Sequence, residues 1–432
     1  MYYRSFPLTG NLPRQEPAPA RSGIRMAGRG GRCFFLSPQV HTLFLGATGF
    51  GKTTAMLRMA PPLRERLCRE GGVLFFFDPK EDFLSALARP GDVVLGRTRC
   101  WNLPAEVMEG FEARTPFGPV FERAMELSGL LFADRMRPGA SGEQYFPKAA
   151  RSVLAGLLAA MAMEGLSDPD LARGLDNAAL LEEVNRATPR RLLARLAPYP
   201  QLESVGYHLY TDGEGRLNNE SNGVLSELTL AVREMLVGSW GLPGDFTVRG
   251  FLREGGGRAL FVPYDPALGT AQGACCRAVI DLALQESLSP ALRDREKVFF
   301  LEELPLLSRP PLENLSNALN LGRGMGTRLI CAAQSVGQLY HLYGQDQADA
   351  LLGGFGQKIL FHPNDPRGAE YLQRQLGQAQ RMEYTFNSRG ERVGRPRLGQ
   401  ALESWEISAL GVGDACVCLN GSVPPFFFHF AP

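Results

Sequence analysis

Residues 46–53 read Gly-Ala-Thr-Gly-Phe-Gly-Lys-Thr and fill every fixed position of the phosphate-loop pattern G-x-x-x-x-G-K-[ST]. Each residue type answers a chemical need. Gly46, Gly49 and Gly51 let the backbone curl with its N–H groups turned inward, and a helix opening at Lys52 adds its positive end to that nest. Around a polyphosphate, Ala47, Thr48, Phe50 and Thr54 complete the cradle, Lys52 reaches the β- and γ-phosphates, and the Thr53 hydroxyl ligates Mg²⁺. Only five of the 46 basic residues are lysines, so a chain filled with arginine keeps lysine where this chemistry needs it. The plainer alternative is a glycine turn between strand and helix.

An apolar run closing on two acids, Lys-Val-Phe-Phe-Leu-Glu-Glu at 297–303, is the partner such a loop requires. The first acid, Glu302, would hold the metal, and the second, Glu303, would orient and deprotonate the attacking water. Aspartate is more usual in the first position, and the longer arm of Glu302 must fold back. Gln334 ends the next apolar run, where a neutral amide can sense the γ-phosphate without adding charge. Arg323 lies in Gly-Arg-Gly-Met-Gly, a loop from which a guanidinium can reach a neighbour's phosphate as a finger. Asp78 and Lys80 follow the apolar run 73–77 and either lie near the nucleotide or a subunit boundary, or make a polar turn. The five histidines are scattered, with no metal-ligand spacing, and neither Gly-x-Ser-x-Gly nor Asn-Lys-x-Asp occurs. These absences argue against an α/β-hydrolase and a guanine-specific GTPase.

Alternating strand and helix patterns position these residues. Strands are expected at 43–45, 73–77, 258–264, 297–301, 328–333, 358–362 and 415–419. A helix is expected at 52–69, kinked or split at Pro61-Pro62, with others at 272–288, 314–321, from 346, and 366–377. Strand, loop, helix and strand around the phosphate loop predict a parallel sheet covered on both faces, with ligands at the strands' carboxyl ends. Between them, residues 116–244 carry helical spacing throughout, clearest from Phe146 to Met161 and from Val224 to Leu236. The organisation read from this is a Pro/Arg-rich extended arm over 1–30, an α/β domain from 31–115 and 245–432, and an inserted all-α domain over 116–244.

The 432 residues balance 46 basic against 45 acidic side chains, so no overall field attracts nucleic acid and any contact with it must be local or in a lumen between subunits. Eight cysteines without a CxxC pair read as buried thiols in a reducing cytoplasm. The longest apolar run, 153–163, is 11 residues, too short to span a bilayer, and no signal-peptide core stands at the start.

The phosphate loop, VLFFFDPKEDF, QYFPKAARSVLAGLL, FTVRGFLREGGGRALFV, KVFFLEELPLL, GRGMGTRLICAAQSVGQLYHLYG, KILFHPNDPRGAEYLQRQLG and EISALGVGDACVCLNG follow one another over about residues 35–425. This series resembles the type IV secretion coupling proteins of the VirD4/TraG/TraD family, related to HerA/FtsK translocases. The resemblance implies a RecA-like ATPase that uses ATP and Mg²⁺, assembles as a homo-hexamer and moves DNA without reading its sequence. It also implies an all-helical domain meeting DNA, a relaxase or another secreted substrate, and contacts with other type IV secretion components. Many members carry transmembrane helices ahead of the phosphate loop, where this sequence has the Pro/Arg-rich arm. The expectation is therefore a cytoplasmic protein, held at the inner face of the bacterial membrane only through a partner. Two alternatives stand beside it: a soluble FtsK/HerA-type DNA pump, and a scaffold or substrate receptor that binds ATP and turns it over little.

Overall fold

The computed structural model describes residues 23–136, 144–210, 219–265, 269–307, 310–386, 389–419 and 424–431. In chain order, β1 (Ile24–Ala27) and β2 (Cys33–Leu36) form a hairpin; β3 (Thr42–Leu45) feeds the phosphate loop and α1 (Lys52–Glu70). Then come β4 (Val73–Asp78), α2 (Asp82–Leu87), β5 (Val93–Val94) and α3 (Leu103–Met108). An all-helical stretch holds α4 (Phe117–Phe132), α5 (Tyr145–Ser167), α6 (Pro169–Ala172), α7 (Asn177–Asn185), α8 (Pro189–Leu196), α9 (Glu203–Gly206) and α10 (Asn219–Met235). After α11 (Val248–Glu254) the sheet pattern returns with β6 (Ala259–Pro263), α12 (Gly269–Ser287), β7 (Lys297–Leu301), α13 (Leu315–Leu321) and β8 (Thr327–Ala333). It continues through α14 (Val336–Tyr343), α15 (Gln345–Gly354), β9 (Gln357–Leu360) and α16 (Pro366–Leu376). The ribbon β10 (Gln378–Phe386) and β11 (Arg392–Gln400), then α17 (Ser404–Ser408), β12 (Asp414–Leu419) and β13 (Phe426–His429), close the chain.

Nine strands make one sheet in the order β13-β12-β9-β3-β8-β7-β4-β6-β5. From β9 to β5 every pairing is parallel, whereas β12 and β13 join antiparallel at one edge. The inner strands are buried on both faces because helices cover both, which is why they read as unbroken apolar runs. Phenylalanines set the register of the strands that end in acids: Phe76 stacks on Phe300 of β7 and Phe261 of β6, both with ring centroids 4.9 Å apart, and Phe75 on Phe299 at 4.6 Å.

The two sides of the sheet have separate cores. On one, α1, α2 and the β1–β2 hairpin pack with the C-terminal strands, Phe34 meeting Phe428 edge-on at 4.7 Å. On the other, the sheet residues Leu43, Phe75 and Phe299 share one continuous core with Leu154, Leu158, Leu228 and Val232 of the helical stretch. The helical unit is thus welded to the sheet by its own hydrophobic face. Among the described residues α5 alone has the length and hydropathy of a membrane-spanning helix; 72% of its most apolar window is buried, and it packs on α3, α4 and α10.

Several expectations change. Residues 24–27, placed in the extended arm, form β1 of the hairpin, while 1–22 lie outside the described residues. Helix α1 runs unbroken through Pro61 and Pro62, which sit on its exposed side, where carbonyls without an N–H partner meet water. β3 and β4 are parallel but not adjacent, since β8 and β7 lie between them. Cys68 is exposed, unlike the buried Cys275, Cys276, Cys331 and Cys416.

Candidate nucleotide site

The strand order brings the ends of β3, β8, β7 and β4 side by side on one rim. Gly46, Gly49 and Gly51 have φ of 146°, 84° and 104°, the left-handed region where a side chain is strained. At Gly46 space forbids one as well, because a Cβ would lie 2.7 Å from Phe361 Cβ. Flanking strands stitch the loop down: Gly46 N–H donates to Ala333 O at 3.2 Å and Ala47 N–H to His362 O at 2.7 Å. Phe50 stacks on the His362 ring with centroids 4.5 Å apart, and its carbonyl accepts from Gly413 N–H. Helix α1 starts from Gly51 with no side-chain cap, so its first N–H groups are available to an anion.

The side chains form a connected mesh. Lys52 is buried, and its Nζ donates to Gly46 O at 2.6 Å and Ala47 O at 2.9 Å. Burial pulls its pKa down to about 8 against the opposing pull of Glu303 and Glu302. Thr53 Oγ1 donates to Glu302 Oε1 at 2.7 Å, and Lys80 Nζ lies 3.9 Å from the same oxygen. Gln334 Nε2 donates to Glu303 Oε2 at 2.8 Å, while its Oε1 accepts from Thr48 Oγ1 at 2.9 Å. Burial raises the proton affinity of both Glu302 and Glu303. Ser335 caps α14 by accepting from Gln338 N–H, which fixes the turn that presents Gln334.

The fit to a metal is tested by Glu302. Its Oε2 is buried without a hydrogen-bond partner among the described residues while Oε1 faces the Thr53 hydroxyl, and a hydroxyl with a carboxylate is the hard oxygen set that Mg²⁺ takes. The long arm of Glu302 folds back far enough to meet the Thr53 hydroxyl.

Among the residues singled out from sequence, Lys52, Thr53, Glu302, Glu303, Gln334 and Thr48 meet at this rim, joined by Lys80. Asp78 is buried beside them but turned inward, its Oδ2 accepting from Leu84 N–H at 2.7 Å. Thr54 is exposed on α1. Arg323 is not brought in: it precedes β8, at the end of the sheet opposite Gln334. A cavity of about 520 Å³ opens beside the two glutamates, lined also by Lys80, Tyr264, Arg277 and Asp134. No motif marked Arg277, from α12, or Asp134, from the turn after α4, because they meet, at 3.5 Å, only where the helical unit packs on a helix of the sheet.

Residues 36–400 match the family model of the type IV secretion-system coupling protein DNA-binding domain. The chain belongs to this coupling-protein family. Its fold is similar to that of the bacterial conjugative coupling protein TrwBdeltaN70 in an unbound form, with TM-score 0.70 and 21% identity over 94% of this chain and 88% of that one. Plasmid coupling protein TrwB in complex with ADP and Mg²⁺ gives 0.67 and 23% over 90% and 85%. VirB4 of Thermoanaerobacter pseudethanolicus gives 0.53 and 13% over 95% and 97%. No curated protein matches the sequence. The coupling-protein chain thus has the RecA-like P-loop architecture with a large, mostly parallel sheet and an all-α portion.

Proposed function

We propose that this member of the coupling-protein family is an ATPase that drives DNA, free or attached to a relaxase, into a type IV secretion channel. The observation that carries the reading is the mesh in which Gln334 joins the phosphate-loop Thr48 to Glu303 while Thr53 meets Glu302. Solved complexes of TrwB with ADP and Mg²⁺, and with a non-hydrolysable ATP analogue, support ATP and Mg²⁺ as the ligands. The cradle is Gly46, Ala47, Thr48, Gly49, Phe50, Gly51, Lys52, Thr53 and Thr54. Lys52 leaves the loop carbonyls for the β- and γ-phosphates. Thr53 and Glu302 would hold Mg²⁺, which supplies charge neutralisation between the phosphates. Glu303, its basicity raised by burial, takes the proton of the attacking water. Gln334, bonded at once to Glu303 and the loop, registers whether the γ-phosphate is present.

Arg323, at the far end of β8 and away from its own chain's rim, is read as serving a neighbouring subunit's nucleotide within a homo-hexameric ring. Residues 31–115 and 245–432 act as the motor, and the helical unit over 116–244 meets DNA or the secreted substrate. DNA is gripped through its phosphates without base readout. The protein works in the cytoplasm, at the inner face of the membrane through a partner.

The test is ATP hydrolysis by the purified protein with and without single- and double-stranded DNA, beside a sizing trace. DNA should stimulate turnover in a ring-sized species, and Glu303→Gln should lower kcat roughly 10²- to 10⁴-fold while ATP binding persists. Tight ATP binding without turnover under any DNA would sink the motor reading.

A further inference from the structure

The loop that carries Arg323 is held by cations. It runs as a 3-10 turn over Gly322–Met325, and each of its four carbonyl oxygens meets a basic side chain. Arg328 Nη1 donates to Gly322 O at 3.4 Å and Arg323 O at 3.1 Å. Arg293 Nε donates to Gly324 O at 3.2 Å, and Lys297 Nζ to Met325 O at 2.6 Å. Gly326 then leaves the turn at φ 73°, its carbonyl accepting from Lys297 N–H at 2.9 Å.

Tying a turn this way is costly. Lys297 is wholly buried and Arg328 only 9% exposed, yet neither makes an ion pair among the described residues; peptide carbonyls take their hydrogen bonds, and Glu296 favours the Arg328 charge only from a distance. A turn needing only to connect α13 to β8 would manage with Gly322, Gly324 and Gly326. The guanidinium of Arg323, by contrast, is exposed and makes no hydrogen bond or ion pair among the described residues. The backbone is fixed and the tip is free.

We propose that Arg328, Lys297 and Arg293 are positioning residues that preset the backbone of Arg323, so that its guanidinium meets the phosphates of an adjacent subunit without a search. This rests on the reading of Arg323 as a finger used between subunits. Ordering the loop beforehand removes an entropic cost that would otherwise fall on the transition state, so the clamp belongs in kcat rather than in the affinity of a subunit's own ATP site. A finger of this kind is worth about 10³- to 10⁵-fold when fully engaged, which leaves room for loss by misplacement.

The experiment is DNA-stimulated ATP hydrolysis by the full-length assembled protein carrying Arg323→Ala, Arg328→Met, Arg293→Ala, or Arg323→Ala combined with either. Arg328→Met should lower kcat roughly 10- to 100-fold and Arg293→Ala roughly 3- to 10-fold, with KM for ATP within about twofold. In the Arg323→Ala background neither should lower kcat further, because both act through the side chain already removed. Losses that multiply in the double variants, or a kcat unchanged in both clamp variants while Arg323→Ala lowers it, would overturn the clamp and leave the finger standing. An unchanged kcat in Arg323→Ala would remove the finger and the clamp with it. Should Arg328→Met fail to assemble, the exposed Arg293 decides alone: an unchanged kcat in Arg293→Ala, or a loss that persists after Arg323 is gone, rejects the proposal.

Discussion

Glu303 accepts from the Gln334 amide and sits beside Lys52 in a buried rim, so its proton affinity and its orientation are set by the same neighbours. Asp78 shows what burial does without a cation in contact. Its carboxyl is pushed up from the ordinary 3.8 to about 6, chiefly by burial and against the Leu84 N–H that favours the charged form. A carboxyl whose folded value lies above its unfolded one binds more protons in the native state between the two, so stability falls as pH rises from about 4 to about 6. Asp78→Asn should flatten that stretch of the stability curve, read by urea titration at several pH values. That single residues would meet at one rim was legible where composition is constrained, as in the phosphate loop and the paired glutamates. Their contacts were not: Thr53 and Glu302 are 249 residues apart and Thr48 and Gln334 are 286, and no spacing rule reaches so far. For Lys80 the sequence left open whether it lay near the nucleotide or a subunit boundary, or made a polar turn, and Arg277 was one more arginine among many.

At the scale of elements, the strands that deliver the site are those whose apolar runs are continuous, and β7 falls on the expected residues. The ribbon β10–β11 and the edge strand β13 were not foreseen. The ribbon is rich in arginine, glycine and glutamine, and its short alternation of Met382, Tyr384 and Phe386 pairs with Pro396, Gly394 and Arg392 across the register, with no matching apolar stripe to announce a strand pair. Elements are joined in another way at Arg249 of α11. Its guanidinium meets Glu286 of α12 at 2.6 Å, Glu126 of α4 at 2.9 Å and Glu106 of α3 at 3.5 Å, tying the helical unit to the helices of the sheet. One buried cation among three carboxylates is hard to replace. Arg249→Met should cost about 3–5 kcal/mol of stability, because it strands the acids rather than merely deleting a pair. Burial already raises the proton affinity of Glu106 and Glu126, so this deficit should shrink as pH is lowered and they take up protons; denaturant midpoints at two pH values would show it.

For the whole molecule, the proposed use of Arg323 between subunits means that one chain alone lacks part of its site. Specific ATPase activity should therefore fall on dilution and recover on concentration, tracking the assembled fraction in a sizing experiment. Activity independent of concentration, in a species sized as a single chain, would contradict the ring. The shared core also confines motion: one continuous apolar body joins sheet and helical unit, so in the proposed ring nucleotide-driven displacement would fall between subunits more than between parts of one chain. The order of the sheet has a further consequence for how the protein comes into being. β3 lies between β8 and β9, and His41, just ahead of it, accepts from Leu329 N–H across 288 residues. A ribosome must finish the helical unit and strands β6 to β9 before the nucleotide loop has walls to lean on. Chains cut short during translation are therefore blind to ATP, and until β8 and β9 arrive the apolar Leu43, Phe44 and Leu45 are left for chaperones to shield.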